Sequence, residues 1–333
     1  MSQKPPYTIT SAILKRVASI SERLALLPTK GGLTADALSP QLRRENRIRT
    51  IHASLAIENN TLSLEQVTDI IDGKPVIGPP RDIQEVRGAV AAYEKLESWT
   101  PYQLEDLLAA HALLMHDLVA VPGTFRTEGV GVFQGSRVVH MAPPAKLVRQ
   151  HMENLLHWLQ HSDEHPLITS CVFHYEFEFI HPFADGNGRM GRLWQTCILS
   201  KWKPMLAYLP VETIVRNRQE AYYASLGQAD AQGEATAFIE FMLAALEATL
   251  DDALAKLETA TTTITTIKTT TIPLSELEER LLAAMRANPA ISLDELAHVL
   301  AITRDGVRYH TNNLKKRGLI RRVGTKRGYW EIL

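Results

Sequence analysis

From about residue 10 to residue 258 the chain repeats apolar residues at three- and four-residue steps, a rhythm that favours helices. Segments such as SAILKRVASISERLALL, LRRENRIRTIHASLAIE and LEDLLAAHALLMHDLV all carry it. Ser63 followed by Gln66 reads as a capping box that opens a further helix. One stretch breaks the rhythm. In GTFRTEGVGVFQGSRVVHMAPP, residues 123–144, β-branched residues alternate around Gly135-Ser136 and Pro143-Pro144 closes the unit. That pattern predicts a short hairpin inserted between helices. At 333 residues and 45% hydrophobic, the chain can bury more than one core, so the fold class is mainly α.

A second unit follows residues 259–273, TATTTITTIKTTTIP, where threonines disfavour a helix. This stretch reads as a Thr-rich linker, with an ordered edge strand as the alternative. Beyond it, LSELEERLLAAMRANP, SLDELAHVLAI and TRDGVRYHTNNLKKRG predict three short helices, and LIRRVGTKRGYWEIL two strands around Gly324-Thr325. Residues 274–333 thus resemble a small α/β winged helix-turn-helix. Residues 303–333 hold nine Lys/Arg against two Asp/Glu, a balance of +7; with a net charge of −1 overall, the remainder carries −8. The third helix is expected to present Arg304, Arg308, His310, Asn312 and Asn313 outward, with Lys315, Lys316 and Arg317 near its end. Such a face suits nucleic acid, and Arg304, Arg308, Lys315 and Lys316 are the candidate contacts. A protein–protein or dimerisation module is the competing reading.

Cys171 and Cys197 both sit in apolar runs and lack ligand spacing, so buried thiols are expected rather than a zinc site. No uncharged apolar run reaches the ~18 residues of a membrane span, and MSQKPPYTITSAILKR lacks a signal-peptide core. A cytoplasmic protein without membrane contact is the expectation.

The chemistry concentrates in HPFADGNGRMGR, His181 to Arg192, which lies between two apolar helical runs. A loop entering a helix N-terminus exposes N–H groups without intrahelical partners, and glycines at 186, 188 and 191 let phosphate oxygens approach closely. Arg189 and Arg192, three apart, can reach one polyphosphate. Asp185 offers a hard oxygen for Mg²⁺, and His181 can take a proton near neutral pH. A P-loop fails for want of Gly-Lys-Ser/Thr; an EF-hand fails at Arg189 and Thr196.

HPFADGNGRMGR resembles the Fic family motif HPFx[D/E]GNGRxxR at all nine specified positions. The hairpin GTFR…GVGVFQG…APP is similar to the family's target-binding flap, here Gly131, Val132, Phe133, Gln134 and Gly135. RNRQEAYYASL is similar to the segment that closes the adenine pocket. The resemblance implies a Fic-fold helical core over residues 100–258, after an N-terminal helical region over residues 1–99. It implies transfer of AMP from ATP to a Ser, Thr or Tyr hydroxyl of a protein, with release of pyrophosphate. His181 would be the base and Asp185 the Mg²⁺ ligand. Gly186, Asn187 and Gly188 would form the anion hole, with Met190 and Gly191 in the same ATP-binding segment. Arg189 and Arg192 would hold the β- and γ-phosphates, and Tyr222, less firmly Tyr223 and Asp230, would border the base. One relative with kinase-like chemistry carries lysine in place of the second motif glycine; this chain has Gly188 and keeps Arg192, which points to nucleotide transfer.

SLAIENN, residues 54–60, resembles the family's inhibitory motif [S/T]xxxE[G/N], on a helix expected at about 44–59. Ser54 and Glu58 would then form a brake in which Glu58 takes Arg192 from the γ-phosphate. In some relatives the same glutamate aids AMP removal, so de-AMPylation stands beside addition. A homodimer is implied by the resemblance. A DNA-binding regulator with a nucleotide-sensing core is the alternative from another class.

Overall fold

The computed structural model describes residues 4–30, 40–134, 137–269, 274–317, 319–324 and 328–332. The chain divides into two units, residues 1–259 and 260–333.

The first unit runs α1 (Ser11–Lys30), α2 (Pro40–Ile57), α3 (Leu64–Ile71), α4 (Pro80–Glu94) and α5 (Leu104–Leu114). The hairpin β1 (Gly131–Gln134) and β2 (Arg137–Met141) comes next. Then follow α6 (Ala145–His161), α7 (Pro166–Ile180), α8 (Asn187–Trp202), α9 (Val211–Asn217), α10 (Gln219–Gln232) and α11 (Thr236–Thr269), the last of which runs past the unit boundary at residue 259. The expected capping box holds α3: Gln66 N–H donates to Ser63 Oγ at 3.2 Å, and Ser63 N–H to Gln66 Oε1 at 2.9 Å. Helices α7 and α8 are buried on nearly all sides, as befits helices at the centre of a core, although α8 carries several polar side chains. They pack against each other, with Phe173, Phe177, Phe183, Trp194 and Phe238 fully buried around them.

The hairpin strands pair antiparallel, Gly131 opposite Met141 and Gln134 opposite Arg137, with a register shift between Val132 and Phe133. Gly135 and Ser136, expected at the turn, lie outside the described residues. The Thr-rich stretch differs from expectation. Helix α11 continues through it to Thr269, and residues 270–273 lie outside the described residues. A nucleated helix gains one hydrogen bond per added residue, which offsets a threonine penalty of up to about 0.7 kcal/mol each. Propensity alone is a poor guide to where such a helix stops.

In the second unit, α12 (Glu276–Ala287), α13 (Leu293–Leu300) and α14 (Arg304–Lys316) precede β3 (Ile320–Val323) and β4 (Tyr329–Ile332). Serines cap the first two helices, Ser275 with Glu278 and Ser292 with Glu295, and Thr303 caps the third. Leu281, Met285, Leu296, Val307, Leu314 and Trp330 fill its core. Ile320 pairs with Ile332 and Val323 with Tyr329, so three helices and a wing are in place.

Candidate active site

Helix α7 ends at Ile180, and His181 turns the chain with φ +50°, a left-handed value that costs a non-glycine residue about 1–2 kcal/mol. Gly186, φ +85°, enters α8; a Cβ there would come within 2.6 Å of Met115 Sδ. Between them the loop is closed by Asn187. Its Oδ1 accepts the Phe183 N–H at 2.9 Å, and its Nδ2 donates to the Phe183 carbonyl at 2.8 Å. Phe183 stacks on His111 with centroids 3.6 Å apart. Gly123 N–H can only donate, so His111 Nδ1 accepts it at 2.8 Å. The proton therefore sits on Nε2, which donates to the Asp185 carbonyl at 3.1 Å. Burial pulls His111 down to about 4, so it stays neutral through the physiological range.

The two motif arginines diverge. Arg192 is 3% exposed and meets α2: Nε donates to Ser54 Oγ at 3.0 Å, and Nη2 to the Ser54 carbonyl at 3.0 Å and Glu58 Oε1 at 2.8 Å. Burial works against its charge, but Glu58, together with Tyr222 and Glu178, leaves Arg192 above its ordinary value. Arg189 instead bridges Glu85 of α4 at 3.2 Å and Asp185 at 3.0 Å. Arg81 reaches Asp185 Oδ2 at 3.0 Å from the same helix.

Glu58 stands one residue past the last helical residue of α2 rather than within the helix. Asn59, φ +66°, takes the left-handed position after it. Asn59 N–H donates to the Ala56 carbonyl at 3.1 Å and Asn60 N–H to Leu55 at 3.1 Å, the paired bonds of a helix-terminating turn. Asparagine tolerates that backbone; most residues do not. The turn delivers Glu58 against the start of α8, where a Cβ on Gly188 would collide with its Oε1. Glycine at 188 lets the Glu58 carboxylate approach the start of α8 without displacement.

Tyr222 is 1% exposed and points its hydroxyl at His174 Nε2, 3.1 Å away, while Tyr223 is 48% exposed. Of the two, Tyr223 presents a ring to solvent. Asp230 accepts from the Tyr175 hydroxyl at 3.0 Å. The backbone of β1 carries Gly131–Gln134 as the hairpin reading requires; Gly135 falls outside the described residues. Among the described residues no group of three or more His, Cys, Asp or Glu is placed to hold a metal. Asp185 suits a Mg²⁺ that keeps waters and takes its other ligands from phosphates.

Four residues escaped the sequence reading. Glu85 and His111 lie on apolar stripes, Glu85 with Ala89 and Ala92, His111 with Leu107 and Leu114. A polar residue at such a position was the available signal. Arg81 and Arg126 carried none: Arg81 is an exposed charge on α4 and Arg126 lies in the loop before the hairpin, places where an arginine is ordinary.

On α14, Arg304, Arg308, Asn312, Lys315 and Lys316 are exposed as expected. His310, Asn313 and Arg317 are not part of that face. They turn towards the buried Glu278, which Arg317 meets at 3.1 Å and Asn313 at 3.5 Å. A buried carboxylate needs donors, and these were the nearest. Arg304 pairs with Asp294 at 3.1 Å and Arg308 with Asp305 at 3.7 Å, which offsets part of the local charge.

Residues 101–199 match the model of the Fic/DOC family, and residues 274–321 that of winged helix-turn-helix DNA-binding domains. A solved Fic family protein from Desulfovibrio desulfuricans G20 is 48% identical over 99% of this chain and 98% of its own, with a TM-score of 0.75. Curated relatives include the protein adenylyltransferases Fic of Nematostella vectensis and Culex quinquefasciatus. The first is 31% identical over 64% of this chain, the second 28% over 75%. The chain spans 50% and 52% of their lengths. The chain belongs to the Fic family. No helix among the described residues is long and apolar enough to cross a membrane.

Proposed function

We propose that this chain transfers AMP from ATP to a Ser, Thr or Tyr hydroxyl of a protein, and that Glu58 holds the activity down. The observation that carries the reading is Arg192. Its guanidinium lies beside the first turn of α8, next to Gly188, and is paired with Glu58 at 2.8 Å. The relatives named protein adenylyltransferase support the transfer itself.

In this reading the polyphosphate lies over the N-terminus of α8. Arg189 and Arg192 bind the β- and γ-phosphates once Glu85 and Glu58 share or release them. Asp185 would hold Mg²⁺, which when bound offsets phosphate charge. His181 takes the proton of the target hydroxyl as that oxygen bonds to the α-phosphorus. The bond from phosphorus to the bridging oxygen breaks, and pyrophosphate leaves. The N–H groups of Gly186, Asn187 and Gly188 stabilise the charge gathering on the α-phosphate oxygens, a term worth orders of magnitude in rate. The hairpin lays the target alongside β1 as an added strand.

Incorporation of labelled AMP from ATP and Mg²⁺ tests this. Glu58→Gly raises labelling of a protein acceptor or of the chain itself, and His181→Ala in that background removes it. Equal labelling by the parent and the Glu58 variant would remove the brake. No labelling by any variant would remove the activity.

A second reading rests on the winged-helix match and the exposed basic residues of α14. There the chain binds DNA through Arg304, Arg308, Lys315 and Lys316, and the first unit senses nucleotide. DNA binding that is insensitive to ATP, with no AMP transfer, would favour it.

A further inference from the structure

Arg126 is 6% exposed, and among the described residues no carboxylate pairs with it. Its side chain spends its donors on backbone carbonyls from three separate stretches of chain. Nε donates to the His181 carbonyl at 2.7 Å, and Nη2 to Ile180 at 3.2 Å. Nη1 donates to the Glu128 carbonyl at 2.8 Å, and Nη2 also to Pro143 at 2.6 Å. The Arg126 backbone N–H adds a bond to the Pro182 carbonyl at 2.9 Å. Glu128 leads into β1, and Pro143 follows β2. Ile180 and His181 are the end of α7 and the start of the HPFADGNG loop. One planar group thus joins both roots of the hairpin to the histidine.

The charge has a physical home there. The last carbonyls of a helix carry partial negative charge, and a guanidinium placed on them needs no carboxylate. Its rigid fork also explains the residue type. Carbonyls arriving from different directions in one plane match a guanidinium, whereas a lysine is a single point. Adjacent residues reinforce the clip. Gly123 is bonded to His111, which holds Asp185, and the Phe125 ring lies 5.6 Å from that of Phe183. Residues 123–126 therefore follow the loop along its length before the hairpin begins.

We propose that Arg126 is a positioning residue, fixing the hairpin against His181 so that the target hydroxyl and the base reach the same phosphorus together. This rests on the reading of His181 and the hairpin given above. Arg126 touches neither nucleotide nor target. It acts through the His181 peptide, whose left-handed turn aims the imidazole, and through the two strand roots. The ATP cradle of α8 is anchored separately, by Asn187 and by α2 and α4.

The test is Arg126→Lys in the Glu58→Gly background. AMP transfer to protein falls, by up to ~10²-fold for a displacement of about 1 Å, while KM for ATP stays within about twofold. Hydrogen exchange read on the same variant needs no activity: amides of β1, β2 and the loop after Ile180 speed up together, and those of α12–α14 do not change. Arg126→Ala behaves alike, and added guanidinium, but not ammonium, restores part of the rate. Unchanged exchange in the hairpin and loop would overturn the proposal. So would a parallel loss of ATP affinity, or collapse of the whole first unit in Arg126→Lys. If Glu58→Gly with Arg126 intact transfers no AMP, the functional reading has failed, and the exchange arm still decides the role of Arg126.

Discussion

Arg192 and Arg304 are both arginines near a helix start, each paired with one acid, at 2.8 Å and 3.1 Å. Their settings differ in every other respect. Arg192 is buried, is held by Ser54 as well as Glu58, and lies against a glycine that admits the carboxylate. Arg304 has a side chain 58% exposed, and so does its partner, at 67%. An exposed pair is worth about 0–1 kcal/mol and is screened by salt. A buried one is worth little over an apolar packing but costs about 3–5 kcal/mol to break on one side. The first arrangement can therefore work as a switch; the second can only contribute to a surface.

The largest effect belongs to the buried side. Glu85→Ala leaves Arg189 with Asp185 alone and removes one of the two acceptors of the Asn60 amide, at 2.8 Å, the Asp82 carbonyl at 3.1 Å remaining. The expected loss is about 3–5 kcal/mol of stability, read from chemical denaturation of the whole chain. A loss under about 1 kcal/mol would place Glu85 with the exposed pairs.

Acid should report on the buried histidines next. Burial depresses His111 to about 4 and His174 to about 3, from an ordinary value of 6.5. The unfolded chain then takes up protons below 6.5 that the folded unit refuses, so stability is full above 6.5 and falls as pH drops towards 4. By pH 5 each ring costs about 2 kcal/mol. Burial also raises Glu176 and Glu212 from 4.5 to about 7, which stabilises the fold over the same range as pH falls and offsets the rings. The readout is therefore the difference between His111→Asn and its parent: denaturation from pH 7 to 5 should show the variant losing one proton's worth less of stability. Identical pH profiles for the variant and the parent would contradict the assignment.

A smaller effect is expected for Glu58→Gly. Arg192 keeps its two Ser54 acceptors, and Glu58 itself is one-third exposed, so about 1–2 kcal/mol is lost, between the two extremes. Activity and stability should move in opposite directions. Arg304→Ala closes the series: under about 0.5 kcal/mol in stability, with a salt slope of DNA binding lowered by about 1 if that face meets phosphates.

The same contrast explains what could be read from the chain. The loop from His181 to Arg192 was legible because its glycines and charges stand at fixed offsets between two apolar runs. Ser54 and Glu58 stood out through resemblance to a motif rather than by their spacing, and the structure sets both against Arg192, with Asn59 in the left-handed turn that follows. Glu85 and Arg126 were not, because their partners are 104 and more than 50 residues away in sequence, and only the fold sets them side by side. His310 and Asn313 went to the wrong face because nothing local marks Glu278 as buried beneath them. The helix through residues 259–269 escaped because composition reports propensity and says little about a helix already under way.

The central claim is that Glu58 holds the guanidinium that a γ-phosphate needs. Calorimetric titration of ATP and of ADP into the parent chain and into Glu58→Gly tests it most directly. ADP lacks the γ-phosphate, so the account expects ATP affinity to rise at least about tenfold in the variant while ADP affinity changes little, a gain of about 1.4 kcal/mol or more for ATP alone. Equal gains for both nucleotides, or none for either, would contradict it.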